Sequence, residues 1–462
     1  MASQGMTRRR FLERAAAAAA LGAGGPALLS ACGDDGGDDG GGDASGGTRT
    51  VVVWDRAGAE ATARQAFLTA WNEGRGAELG ITVQYEPQAT DKYEEIVRTA
   101  FQTQRGPDIF HGPSSILGQF VGAGWIQPLR GLISDDVLGN ADAYLRDSSE
   151  LVWGGEPYGV PTTTFTIRNS INRGLFQAAG LDPDDPPTTF SAVLDAARAI
   201  TAAGGGDAFG IALPTAWVGF LAWIVDPPVL ASNPDLTQLG LFDRSSGEFA
   251  AENYEPVVEL YRALVQEEIA YPGAETLNSD TVLGAFAEGK IGMYLSSGSI
   301  VGGLQNLGAQ IDFGVGPIPV ADGQTQRQSP MNAGFPYSIS STIEDEESVA
   351  AVFEVLVGAE MQQALADGGV PPLSTEAWDS DSAMGNDWLQ LFRPADLDTQ
   401  WPKKPGSVVA VEGEDVTTTI TKLILDPSQD APSTLADLSE RYQRAFETGV
   451  DNGEIDPDEF RV

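Results

Sequence analysis

Cysteine and histidine each occur once in the 462 residues, as Cys32 and His111. No disulfide can form within the chain, and no cysteine-based zinc site can be assembled. A single histidine also removes two-histidine metal helices and any Ser–His–Asp triad that does not use His111. Lysine is confined to Lys92, Lys290, Lys403, Lys404 and Lys422, and 27 basic residues stand against 66 acidic ones for a formal charge of -39. Phosphate backbones are bound by Lys and Arg, so this balance argues against DNA or RNA as a partner. It also disfavours a highly anionic ligand unless a local basic pocket exists. What is present is a globular composition, 42% hydrophobic and 8% aromatic, long enough for two or three domains with real cores.

The N-terminus reads as an export signal. Thr7–Arg8–Arg9–Arg10–Phe11–Leu12 precedes an apolar, Ala-rich run, Ala15–Leu29, too short for a secure membrane span. The T-R-R-x-F-L pattern resembles a twin-arginine signal, which exports proteins already folded. Leu29–Ser30–Ala31–Cys32 resembles a bacterial lipobox, whose cleavage leaves Cys32 at the N-terminus carrying lipid. Residues 33–47 are Gly and Asp with almost nothing apolar and read as a flexible tether. Their repeated Asp lacks the ligand spacing of a calcium loop.

The body alternates strands and helices. Val51–Trp54 is a buried-type strand ending at the polar turn Asp55–Gly58, and Phe67, Leu68 and Trp71 mark a helix face after it. Ile81, Val83 and Tyr85 alternate as a half-buried strand, and Tyr93, Ile96, Val97, Ala100 and Phe101 recur at helical spacing. The stretch 106–129 (GPDIFHGPSSILGQFVGAGWIQPL) then gives a short strand at Asp108–Phe110, the turn His111–Ser114 and an apolar-faced helix that Ser114 or Ser115 can cap. Strand ends that run through such turns into helices are where open α/β sheets place ligands. The β–α–β–α–β order predicts a largely parallel sheet with covering helices. Strands are also expected at Phe209–Leu213, Ile291–Leu295, Phe313–Val315 and Tyr337–Ser341, and no repeat of fixed period is present.

Several of these segments, taken in order, resemble the extracellular solute-binding proteins of ABC importers, in the large sugar-binding, maltose-binding-protein-like group. They are GPDIF followed by a helix and GWIQPL, Tyr158–Pro161, Leu175–Leu181, Pro186–Phe190, Phe286–Met293 with Ser297–Gly298, Gly314–Pro319, and Asn332–Gly334. The resemblance covers roughly Thr50–Ala377. It implies an α/β, two-lobed periplasmic-binding-protein fold (type II), each lobe a mostly parallel sheet flanked by helices. Closure of the two lobes on a ligand is implied as well. With residues 1–32 as signal and 33–47 as tether, it places lobe 1 at 48–163 plus 292–333 and lobe 2 at 164–291 plus 334–462. The crossings are then expected near Thr162–Thr166, from Ser296–Gly298 through Ile318, and near Asn332–Tyr337.

Candidate ligand contacts derive from position in that scheme. Trp54, Asp55 and Arg56 leave the first strand and together supply a stacking face, acceptors and donors for sugar hydroxyls; Trp54 also continues an apolar run and fits a core. His111 stands at a strand end, and Ser114 caps its helix, donates to ligand, or both. On the first crossing, alternation puts Thr163 and Phe165 on one side and Thr162 and Thr164 on the other, leaving open which side meets the cleft. Trp217 and Trp223 lie in an aromatic loop and suit stacking or core. Ser297 and Gly298 match the family's cleft turn, though Ser299–Ile300 replaces a Trp common there, which speaks against maltodextrin. Gly334 and Phe335 open the last expected crossing, and Trp401 lies in a Pro-flanked loop.

The expected function is solute binding, not catalysis: capture of a sugar or oligosaccharide outside the membrane by a lipid-anchored, monomeric protein that delivers it to an ABC permease with its ATPase. No cofactor or metal is expected. The alternatives are a secreted carbohydrate-active hydrolase with paired carboxylates, for which only Asp55 stands out, a binding protein for glycerol-phosphate or another non-sugar solute, and a sensory lipoprotein.

Overall fold

Four strands build the first lobe's sheet. Arg49–Arg56, Ile81–Gln88 and Ile109–His111 run parallel, and Tyr337–Ile339 closes one edge antiparallel to Ile109–His111. Period-2 alternation divides their side chains between two cores. Val51, Val53 and Ile109 join Leu68, Tyr337, Phe353 and Leu365 on one face, while Phe110 joins Tyr93, Val97, Phe101 and Phe120 on the other. The computed structural model describes residues 48–461 except 147–148, 335 and 406–407, and of Ala59, Asp91, Ser114 and Ser115 only the backbone. The expected signal, tether, lipidated Cys32 and Phe335 therefore lie outside the described residues.

The second lobe is organised on Thr163–Asn172. This ten-residue strand runs antiparallel to Ser329–Gly334, Ile291–Ser297 and Phe313–Gly316. Parallel strand pairs there are Ile291–Ser297 with Phe209–Ile211 and Ser329–Gly334 with Asp398–Gln400. Helices Phe190–Gly204, Glu255–Gln266, Val416–Leu425 and Ala431–Asp451 bury apolar faces in a single core with these strands. Thr189 and Asp415 cap two of them by accepting backbone N–H groups.

The lobe boundaries differ from those expected. Residues 292–333 are expected in the first lobe, but their strands hydrogen-bond to Thr163–Asn172 in the second sheet. The turn at Ser297–Gly298 feeds helix Ile300–Asn306 and does not cross between lobes. After Gly334 the chain does cross, and Tyr337–Ile339, Glu346–Val357 and Ala359–Asp367 return to the first lobe, with Val349, Phe353 and Leu365 in its core. The third crossing is at Val370–Pro372, beyond which Ala377, Trp378 and Leu389 enter the second core. Ser114 is the first residue of helix Ser114–Gly122, whose cap is Pro113 with no side-chain hydrogen bond.

All three crossings meet one buried polar network. Asp55 and Arg64 are both 0% exposed and form an ion pair at 2.8 Å. The same Asp55 oxygen accepts from the Tyr85 and Tyr337 hydroxyls, each at 2.6 Å. Arg64 donates to Thr162 Oγ1 at 2.7 Å, and Gln362 donates to the Thr162 carbonyl at 2.9 Å while accepting from Leu373 N–H at 2.6 Å. Burial pushes the Asp55 carboxyl up, but the Arg64 charge and the two phenol donors outweigh it and hold the group below the usual carboxylate range.

Removing one partner strands the other charge without water. Asp55→Ala is expected to lower unfolding free energy by about 3–5 kcal/mol, seen as a lower urea midpoint with an unchanged slope. Because the Asp55 pKa is depressed, its contribution is present above the ordinary carboxylate range and is lost only as pH falls through its own lower pKa.

Candidate functional site

A cleft between the lobes opens into two joined chambers of about 300 and 380 Å³. Arg56 and Thr90 on one wall and Phe165, Trp217 and Trp223 on the other border both chambers. The first-lobe wall comes from the C-terminal ends of its parallel strands: Arg56 ends Arg49–Arg56, Thr90 comes just after Ile81–Gln88, and His111 ends Ile109–His111. Open α/β sheets put their crevice at these ends because the helices beyond them diverge there.

The second-lobe wall is aromatic. The Trp223 ring lies edge-on to Phe165 at 6.4 Å and to Trp401 at 5.0 Å, so three rings form a continuous surface. Two local features build it. Gly334 pairs with Thr163 across the strands, and a Cβ there would come within 2.5 Å of the Phe165 ring, so only glycine leaves that ring its place. Trp223 sits in a π-turn, Leu221–Val225, whose extra residue shifts the register of the side chains beyond it. Trp401 is 5% exposed, and its indole N–H has no hydrogen-bond partner among the described residues.

Charge in the cleft is mixed. Glu60 is 8% exposed and borders the smaller chamber at the start of helix Ala59–Trp71, accepting its own backbone N–H. Burial raises its pKa, opposed by its own N–H and the Arg64 and Arg56 charges. Lys404 borders the larger chamber with its Nζ 2.6 Å from Glu150. Glu94 and Asp280 line the walls as well. His111 is 3% exposed, and its imidazole donates to the Pro336 carbonyl. Burial lowers its pKa to about 3, so it is neutral at physiological pH.

Of the residues proposed from sequence, Arg56, His111, Phe165, Trp217, Trp223, Ser297, Gly334 and Trp401 come together at the cleft. Trp54 does not. It shares a strand face with Arg56, but two residues earlier it is covered by helix Tyr93–Gln102, and its Nε1 donates to Glu86 at 2.7 Å. Asp55 points the opposite way, into the ion-paired network. Thr163 is 0% exposed beneath the Gly334 backbone, its hydroxyl without a partner among the described residues. Gly298 is a packing glycine: a Cβ there would meet Pro371 at 2.6 Å. The sequence reading missed Glu60, Gln238, Leu239, Asn332 and Lys404. Glu60 carried a signal, a polar residue just after the Gly58 turn at a strand end; Asn332 lies on the strand beside Phe165, and the others come from loops whose position only the tertiary fold decides.

The sequence profile of the bacterial extracellular solute-binding proteins matches residues 33–363. The chain belongs to this family. A binding protein of Brucella abortus (strain 2308) is 24% identical over 247 residues, 52% of this chain and 56% of that protein. A maltotriose-binding protein of Pyrococcus abyssi (strain GE5 / Orsay) is 22% identical over 280 residues, 60% of this chain and 56% of that protein. The chain thus spans about half the length of these curated relatives. The GacH receptor of Streptomyces glaucescens, solved unliganded and with acarbose, superposes with a TM-score of 0.67 at 19% identity, covering 87% of this chain and 99% of that one. It shares the two-lobed fold. The family is one of extracellular solute-binding proteins rather than of enzymes.

Gly334→Ala is expected to drive the Phe165 ring off its site. Overpacking of this kind costs about 1–3 kcal/mol, to be read by thermal unfolding. The near-ultraviolet circular dichroism of the Phe165–Trp223–Trp401 cluster should weaken with it.

Proposed function

We propose that this solute-binding protein captures a neutral sugar or oligosaccharide in the cleft and delivers it to an ABC permease. The observation that carries this reading is the contrast between the walls. A sugar ring presents apolar C–H faces and a hydroxyl edge; the Phe165–Trp223–Trp401 surface suits the faces. Arg56, Glu60 and Thr90 across the cleft suit the hydroxyls. Ligand that touches both walls favours the closed arrangement by its differential affinity, and the permease reads that arrangement.

The maltotriose and acarbose bound by the two relatives support a sugar. A phosphorylated ligand is disfavoured. Arg56 does reach the cleft, but Glu60, Glu94 and Asp280 share its walls and Lys404 is paired with Glu150. We read the protein as a monomer held by lipid outside the cytoplasmic membrane. Support for export and anchoring comes from the Arg8–Arg9 signal pattern, the lipobox at Cys32 and a family match that begins at residue 33.

A thermal-shift screen with maltotriose, raffinose, glycerol 3-phosphate and spermidine tests the ligand class, because binding to the folded state alone raises its melting temperature. Neutral sugars are expected to shift it; a response to the phosphate or the polyamine alone would replace the sugar assignment. Trp223→Ala is expected to weaken sugar binding on the order of tenfold, or about 1.4 kcal/mol, in isothermal titration calorimetry. Glu60→Gln, which keeps one acceptor, should weaken it less.

A further inference from the structure

The larger chamber is walled in part by Gln238 and Leu239, and the backbone there is strained. Leu239, Gly240 and Leu241 come in succession with φ of 51°, 132° and 45°. Side-chain-bearing residues rarely adopt such angles, because Cβ crowds the adjoining carbonyl. The other non-glycine residues of positive φ among the described residues, Gln104 and Glu268, are single residues just past helix ends. Here two leucines are held so within one turn, beside the cleft.

Two buried groups hold them. Asp226 is 0% exposed and accepts the Leu239 N–H at 3.2 Å on one oxygen and the Tyr254 hydroxyl at 2.5 Å on the other. The Tyr254 oxygen in turn accepts the Gly240 N–H. Successive amides of the strained turn are thus captured by one carboxylate and the phenol bound to it. Thr237 closes the base with its N–H on the Phe242 carbonyl at 2.9 Å and its Oγ1 accepting the Phe242 N–H at 3.1 Å. The Gln238 side chain, at the cleft, donates to the Ala222 carbonyl beside Trp223 at 3.3 Å and accepts from Lys404 at 3.4 Å.

We propose that Asp226 and Tyr254 are positioning residues for ligand binding: they clamp the strained Leu239–Leu241 turn and so fix the Gln238–Leu239 wall of the cleft without touching ligand. The inference rests on the reading of the cleft as a sugar site. Strain persists only where the surroundings over-determine it, and the clamp supplies that determination.

The clamp is also sensitive to protons. Burial pushes the Asp226 carboxyl up to about 7, against the Tyr254 and Leu239 donors and the Lys404 charge. As a carboxylate it accepts at both oxygens; once protonated, one oxygen carries an O–H that competes with the donor now facing it, and that arm weakens. The groups that face the clamp are Tyr254, Lys404 with its partner Glu150, and Tyr442 behind Tyr254. Affinity therefore falls as pH drops through about 7. Folding stability moves the other way. Between the ordinary 3.8 and about 7 the folded state holds a proton that the unfolded chain releases, so this group stabilises the fold increasingly as pH falls through that window. A carboxyl with a structural role alone would move stability and leave affinity unchanged.

The test uses the whole protein as wild type, D226N and Y254F, the first variant conserving volume and the second deleting only a hydroxyl. Amide exchange at Leu239 and Gly240, corrected for intrinsic rates, reads the clamp without ligand. Calorimetric titration with maltotriose and raffinose reads affinity. Expected in D226N, whose amide keeps a single acceptor, is loss of protection at the arm that its nitrogen now faces, Leu239 or the Tyr254-held Gly240, and in Y254F at Gly240. Affinity should fall roughly three- to tenfold, the worth of one buried hydrogen bond, with the wild type's decline from pH 8 to pH 6 absent from D226N. Titration of Glu60 on the opposite wall is common to all three proteins and cancels. Unchanged protection in both variants overturns the clamp. Lost protection with unchanged affinity overturns the positioning role. A wild type that binds neither sugar overturns the sugar reading and with it the affinity claim, while exchange still decides the clamp.

Discussion

The Asp55 carboxylate is the point on which the two lobes depend. It takes the Arg64 guanidinium and the Tyr85 and Tyr337 hydroxyls on a single oxygen, and Arg64 passes the connection to Thr162 on the first crossing. Tyr337 stands just past the second crossing, and Gln362 ties Thr162 to Leu373 just past the third. A buried ion pair is weak as a source of stability, since desolvation consumes most of its attraction. Its value here is geometric. The network draws members from or beside all three crossings, so its hydrogen bonds form together only when those crossings are in register.

The two walls of the cleft differ because the sheets that carry them differ. In the first lobe, parallel strands end together, and each leads through a turn into a helix; such turns offer polar side chains and backbone groups. In the second lobe the long strand Thr163–Asn172 runs past the cleft, so Phe165 meets it from a strand face, with Asn332 opposite on the neighbouring strand. Strand surface carries rings well, and the π-turn and Gly334 bring Trp223 and Phe165 into edge-to-face contact on one wall. A stacking surface and a polar surface thus arise from topology before any residue is chosen for ligand.

Periodicity made the elements legible in the sequence, and the assignment of elements to lobes was not. Val51, Val53, Ile81 and Val83 alternate, and Tyr93, Val97 and Phe101 recur at helical spacing, so the first lobe's strands and helices are set by local pattern. Ile291–Ser297 and Phe313–Gly316 are equally plain as strands, yet their pattern suits either sheet. Only pairing with Thr163–Asn172 decides, and pairing is a long-range property. The same limit governs the site. Alternation separates Asp55 from Trp54, but whether the Trp54 face meets a cleft or a covering helix depends on where Tyr93–Gln102 packs. Leu239–Leu241 gives no turn signature because hydrogen bonds from its amides to Asp226 and Tyr254 hold the angles, with Gly240 the lone permissive residue. Gly334 was found for its place in a motif, whereas its physical role is the space it leaves to Phe165.

Net charge and cleft chemistry have to be read separately. A formal charge of -39 sets the field of the whole surface and repels anions at a distance. Inside the cleft, the balance depends on individual burial. Glu60 stands at a helix N-terminus on the chamber wall, and burial makes its ionised form costly where acceptors are left without donors. Donors from a ligand relieve that cost, and hydroxyl hydrogens do so without importing charge. Lys404, by contrast, already has Glu150 at 2.6 Å and has little attraction left for a phosphate. The acid excess of the surface and the pairing of this buried cation therefore act in the same direction, toward a ligand that donates hydrogen bonds and carries no negative charge.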